Sequence, residues 1–151
     1  MQTNLSINGG FLMIYLYYST SSEPYRRAKD WLKKNNLSFT EIKLSKSHRL
    51  SKKELMHILS LTELGTDDII TKRSIIYAEL NINFDELTLE EILPLLNEHH
   101  SLLRSPIVID DKRIQVGFND NDIRKFIPRK IRTKQKELRQ QQLFQSYNVN
   151  Q

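Results

Sequence analysis

Ser19, Thr20, Ser21 and Ser22 stand in a row in YYSTSSEPYRRA (residues 17–28), with Tyr25 three positions on. An apolar run, residues 11–16, precedes the stretch, and a helix-like pattern follows it. A strand, a turn of small polar residues and a helix make a junction where α/β proteins hold a nucleophile or a redox pair. A serine such as Ser22 becomes a nucleophile only with a base in hydrogen-bond reach. The histidines are His48, His57, His99 and His100, and no acid–histidine pattern singles one out. His99 and His100 are adjacent, so on a helix they diverge by about 100° and make no metal signature. The chain has no cysteine, which removes disulfides, thiolate metal sites and cysteine nucleophiles. These residues point to no catalytic group, no metal and no cofactor.

The elements that position this turn are legible from periodicity. Residues 12–17 read as a buried strand. Residues 24–35 read as a helix with Tyr25, Ala28, Trp31 and Leu32 on one face. Residues 38–44 alternate like a second strand. From residue 51 to 101 the pattern is helical. Ser51 with Glu54, and Thr88 with Glu91, are capping boxes. Gly65 is expected to end the first of these helices, and residues 66–68 to cap the next turn. Residues 74–80 read as a short helix. Pro94 falls at the sixth position of the last helix, where a kink or a later start is expected. Residues 106–110 and 113–118 read as a hairpin around Asp110-Asp111-Lys112. A helix over 119–126 and a basic helix from Pro128 complete the order.

The chain of 151 residues, 38% hydrophobic and 27% charged, fits one domain with an insertion. No run approaches the roughly 18 apolar residues that span a membrane. The N-terminus lacks the pattern of a signal peptide, so a cytoplasmic location is expected. Residues 1–11 read as a disordered extension, and Met13 is a second candidate start. The net charge of +5 has one origin. Arg129, Lys130, Arg132, Lys134, Lys136 and Arg139 face Glu137 alone from residue 128 onward, so the remainder is balanced. A basic tail suits nucleic acid or an acidic protein face.

Three long words carry a resemblance: LTELGTDDIITKRS (61–74), LNEHHSLLRSPIVIDDKRIQVGFN (96–119) and DIRKFIPRKIR (122–132). With the element order, they make the chain resemble the Spx/arsenate-reductase family of thioredoxin-like proteins from about residue 13 to 132. It looks most like the Spx branch, transcription regulators that bind RNA polymerase. The resemblance implies an α/β fold, a thioredoxin-like four-stranded mixed sheet (βαβ…ββα) with an inserted helical block. The single domain spans 12–132, with its core at 12–47 and 104–127 and the insertion at 50–101. A basic C-terminal helix and polar tail cover 128–151.

The family's Cys-x-x-Cys pair aligns with Ser22 and Tyr25, which cannot form a thiolate or a disulfide. The reductases also need a convergent arginine cluster for the oxyanion. The residue before the strand proline is Ser105, a later arginine falls near Val116-Gly117, and only Arg73 keeps its place, with Arg104 one residue off. The resemblance therefore implies no enzyme. It places Gly65, Thr66 and Arg73 on the surface that meets the C-terminal domain of the RNA polymerase α subunit. Ser60 stands where the family has a basic residue. Lys72, Lys130 and Arg132 become phosphate contacts to promoter DNA within the polymerase complex. Pro106 matches the proline that is cis in thioredoxin folds. Residues 140–151 are polar where Spx-like chains often end in small apolar residues read by the ClpXP protease, which leaves control by ClpXP or its adaptor open. The expected function is a stress-response transcription regulator that is not thiol-switched. One alternative is a paralogue that competes for the α subunit or binds a proteolytic adaptor. Another is a degenerate thioredoxin-like domain with a small ligand.

Overall fold

The structure, a computed structural model, describes residues 13–150 and, before them, the backbone of Ser6–Ile7 and Gly10–Phe11. These last two segments, β1 (Ser6–Ile7) and β2 (Gly10–Phe11), pair antiparallel. The rest of the 1–11 extension lies outside the described residues.

The main sheet has four strands: β3 (Ile14–Tyr18), β4 (Phe39–Lys43), β5 (Ile107–Ile109) and β6 (Ile114–Val116), in the order β4-β3-β5-β6. β3 and β4 run parallel, joined through helix α1 (Glu23–Lys34), and the other pairs are antiparallel. This is the mixed βαβ…ββα sheet that the sequence implies. Side chains alternate across a strand, so the sheet has two apolar faces. Ile14, Leu16 and Val108 meet Tyr25, Ala28 and Leu32 of α1, together with Ile123 and Phe126. Tyr17, Ile107 and Ile109 point the other way and meet Leu55, Ile58, Ile69 and Leu102 of the inserted block.

The block comprises α2 (Lys52–Ser60), α3 (Thr66–Ile69), α4 (Ile75–Leu80) and α5 (Leu89–Glu98), with short 3-10 turns at Phe84–Glu86 and His100–Leu102. Both capping boxes form, at Ser51/Glu54 and Thr88/Glu91. The block is fastened to the sheet at several points. Ile70 bridges Leu103 antiparallel, Thr71 N–H donates to the Leu102 carbonyl at 2.7 Å, and Arg104 N–H to the Ile69 carbonyl at 2.7 Å. The Tyr17 hydroxyl donates to Glu54 at 2.7 Å. Asn97 grips both backbone groups of buried Leu50, accepting from its N–H at 2.7 Å and donating to its carbonyl at 2.9 Å.

Three local expectations are corrected, and of the two outcomes expected at Pro94 the later start does not occur. α5 runs from Leu89 through Pro94 to Glu98. Pro94 and Glu90 are exposed, so water can satisfy the Glu90 carbonyl that loses its partner. Gly65 does not terminate α2, which ends at Leu61; it is the N-cap of α3. The helix expected over 119–126 is a 3-10 turn, Asp122–Phe126, because the Asn119 side chain takes the N–H groups of Asn121 and Asp122. The last helix, α6 (Arg129–Val149), continues far past the basic segment, through a Gln-rich stretch that has no helix breaker.

Candidate functional site

The first turn comes out of β3 and enters α1. Ser22 is the N-cap of α1, and its hydroxyl accepts the Tyr25 N–H at 3.4 Å. Pro24 lies in the first helical turn, where a missing N–H costs no intrahelical bond. Tyr25 is buried, its ring stacked on Tyr18 with centroids 4.0 Å apart. Its hydroxyl donates to Glu41 on β4. Lys29, one turn along α1, reaches the same carboxylate at 3.1 Å. Burial opposes ionisation of Glu41, but the hydrogen bonds from Tyr25 and Lys29 and the charges of Lys29 and Lys33 outweigh it, holding its carboxyl below the usual carboxylate range. Burial, then the carboxylate partner, pushes the Tyr25 phenol well up, so it stays protonated. Neither position of the thiol pair is left vacant: one caps a helix and the other ties that helix to an edge strand.

Below the turn, Ser105 Oγ accepts the Ser19 N–H at 3.3 Å, and the Ser105–Pro106 peptide bond is cis. The space between Ser19, Ser105, Arg104 and His100 is too narrow for a water molecule. No histidine bonds to Ser22 among the described residues. His100 Nε2 is buried without a partner, and burial followed by Arg49 lowers its pKa, keeping it neutral. His57 bonds the Asp110 carbonyl at 2.8 Å instead of any hydroxyl. Among the described residues no group of acids and histidines is placed to hold a metal, and no helix is long and apolar enough to cross a membrane.

On the other face of the sheet, Gly65 has φ 66° and ψ −127°, and a Cβ there would meet nothing within 4 Å. The position is strained for any side chain, yet open to solvent. Asp68 closes the turn before it, accepting from the Glu63 and Leu64 N–H groups at 2.9 and 3.0 Å. Thr66 follows at the start of α3. Lys72 and Arg73 lie in the turn before α4, whose N-cap is Ser74. The two segments are joined by an ion pair, Lys72 to Asp67 at 2.7 Å. The ion pair brings Lys72 beside the start of α3, and Arg73 follows it in the same turn. Leu64, just before Gly65, and Ile75, the first residue of α4, are 69% and 75% exposed. Sequence reasoning missed these two. Their signal is that both are large apolar residues outside the buried spacing, Leu64 in the turn before α3 and Ile75 at the first position of α4.

Lys130 and Arg132 are elsewhere. They sit on α6, which leaves the Asp122–Phe126 turn beside α1, on the sheet face opposite the inserted block. A cleft of about 390 Å³ separates α6 from the body, lined by Trp31, Asn35, Ile127, Gln135 and Leu138 among others.

A mixed four-stranded sheet covered on both faces, with a cis-proline strand under the first turn, defines a thioredoxin-like α/β protein. The chain belongs to the ArsC family, whose model matches residues 17–126. Solved structures share the fold. An ArsC-family-related protein from Bacteroides fragilis matches with TM-score 0.62 and 23% identity, covering 75% of this chain and 96% of that one. Arsenate reductase from Vibrio cholerae matches with TM-score 0.59 and 18% identity, over 77% and 96%. Within the family, the resemblance to Spx stands. The chain is 50% identical over 120 residues to a protein of Streptococcus pneumoniae named global transcriptional regulator Spx, covering 80% of this chain and 90% of the relative. It is 45% identical over 121 residues to the Bacillus subtilis protein of that name, over 80% and 92%, and 47% identical over 132 residues to the Enterococcus faecalis one, over 87% and 98%.

Proposed function

We propose that this chain regulates transcription by binding the C-terminal domain of the RNA polymerase α subunit through the Gly65–Arg73 surface. It then meets promoter DNA only in that complex. The relatives' shared name supports regulation, and the missing thiols support a regulator that does not sense oxidants through itself. The observation that carries the choice of surface is Gly65. It lies in a conformation natural to glycine alone, a Cβ there would meet nothing within 4 Å, and Leu64 before it is exposed, as are Arg73 and Ile75 further along the chain. A glycine with open space at its Cα and an exposed leucine before it lets a partner's helix or side chain approach closely. Lys72 is a weaker candidate for phosphate contact, because Asp67 holds its charge.

The test is a binding isotherm with the isolated α C-terminal domain. Binding in the micromolar range is expected, lost on Gly65→Arg and weakened by Arg73→Ala. Absence of binding, or a Gly65→Arg variant that binds like the parent, rejects this surface. In-vitro transcription with the bound complex separates activation from mere occupation of the α subunit.

A further inference from the structure

The cleft of about 390 Å³ between α6 and the body falls in the size range of small-molecule sites, about 300–1,000 Å³. Its apolar walls are Trp31, half-buried on α1, buried Ile127, and Leu138 of α6. Arg124 and Arg139 line the same cleft from two different elements, the Asp122–Phe126 turn and α6. Both are exposed, and neither guanidinium has an ion pair or hydrogen bond among the described residues. Asp120, the one acid in the lining, is held by Arg27 at 3.0 Å. Two amide side chains complete the site. Asn35 Nδ2 donates to the Trp31 carbonyl at 2.9 Å, which leaves its oxygen free, and Gln135 has no side-chain partner among the described residues. Gln135 is also the only residue of α6 that is not exposed, so the helix meets the body at this cleft.

We infer that this cleft binds a small, flat aromatic molecule carrying an anionic group, of the size of a nucleoside monophosphate. The class follows from the lining. An indole beside an isoleucine and a leucine offers apolar and π surface to a ring. Two guanidiniums that nothing else engages, beside an acid that is already paired, leave the cleft positive. A guanidinium holds a phosphate or carboxylate through two parallel N–H groups. The Asn35 oxygen and the Gln135 amide supply an acceptor and a donor for ring substituents. A bare oxyanion would leave the apolar wall unused, and a neutral ring would leave the two charges unused. Bound there, the ligand bridges α1 and α6 and holds the last helix on the body. A chain without thiols thereby gains an input that is not an oxidant. The cleft lies on the sheet face opposite Gly65, and the inference does not rest on the regulator reading.

The experiment titrates the full-length protein with adenosine and guanosine monophosphates and follows the fluorescence of Trp31, the chain's single tryptophan. Saturable quenching by at least one of them, with a dissociation constant below about 1 mM, is expected. The parent nucleosides, which lack the anion, and inorganic phosphate, which lacks the ring, should each bind about tenfold more weakly or worse. Hydroxybenzoate, followed by calorimetry, puts a carboxylate on a ring. Binding of either ring-bearing anion supports the class, and the tighter one names the anionic group. R124Q/R139Q should reduce nucleotide affinity to that of the nucleoside, with an unchanged melting temperature in the absence of ligand because both side chains are exposed. Trp31→Phe keeps a ring in the wall and should retain binding by calorimetry, whereas Trp31→Ala should lose it. Gly65→Arg should bind the nucleotide as the parent does. Inorganic phosphate that binds as well as the nucleotide marks an adventitious ion only and overturns the inference. An R124Q/R139Q variant of parental affinity overturns it too. If neither the nucleotides nor hydroxybenzoate bind at about 1 mM, the cleft is rejected, while the α C-terminal domain isotherm decides the regulator reading on its own.

Discussion

Tyr25, which the sequence reading sets against the second thiol of a Cys-x-x-Cys pair, makes a link of another kind. Its ring is stacked on Tyr18, its hydroxyl donates to Glu41, and Lys29 completes the cluster. Phenylalanine keeps the stacking and removes only the hydrogen bond. A hydrogen bond to a charged group contributes more than a neutral one, but Glu41 is half open to water and retains Lys29. Tyr25→Phe should therefore cost about 1 kcal/mol, a fall of about 3 °C in thermal melting. Glu41 adds a pH signature. Its carboxyl is held below the ordinary value of 4.5 in the folded chain, so the unfolded chain takes up the proton first. The stability it contributes is complete above pH 4.5 and is lost as pH falls through the folded value. Melting temperature followed downward from pH 6 should show a shallower acid loss in Glu41→Gln than in the parent; superimposable slopes would deny the cluster its role. Ser22 and Tyr25 were visible in the sequence as substitutions, but Glu41 was not. It lies sixteen positions from Tyr25, and only the parallel register that sets Leu16 beside Glu41 brings it under the helix.

The elements were read best where the signal is local. Both capping boxes, the amphipathic face of α1 and the hairpin at Asp110 depend on residues within four positions of one another, and all three appear in the structure. The errors arose where a side chain decided the outcome. Asn119 shortened one helix by taking its N–H groups, and Asp68 closed the turn that placed Gly65 at a helix start. Asn97 is the clearest case of a residue with no sequence signal. It lies 47 positions from Leu50 and serves that buried residue's N–H and carbonyl together. Truncation strands both groups away from water, each a penalty of about 1 kcal/mol or more. Asn97→Ala should lower stability by about 2 kcal/mol, or about 6 °C. The Leu50 amide should lose hydrogen-exchange protection ahead of the sheet strands. A uniform loss of protection would mean instead that the clamp is part of global unfolding.

In the molecule as a whole, the sheet is a partition. One face carries α1, the first turn and, beyond them, the basic helix; the other carries the inserted block with Gly65 and Arg73. A change at the turn can reach the block through β3, whose Tyr17 donates to Glu54, and through the strand that leaves the block at Leu103. In this chain the turn is held by a hydroxyl cap and a phenol–carboxylate bond, neither of which an oxidant or a thiol alters. The parent protein should melt at one temperature in diamide and in dithiothreitol. The double variant Ser22→Cys, Tyr25→Cys puts thiols at the N-cap and third helical positions, whose spacing lies within the reach of a disulfide. Its reduced form should be less stable than the parent, because the cap, the buried ring and the bond to Glu41 all go. Closing so small a loop restores about 2 kcal/mol on the chain-entropy scale. Oxidised and reduced variant should then differ by about 6 °C in melting temperature, a split the parent lacks. If the variant forms its disulfide by mass and still shows no split, the turn is not a place where a cross-link constrains this fold.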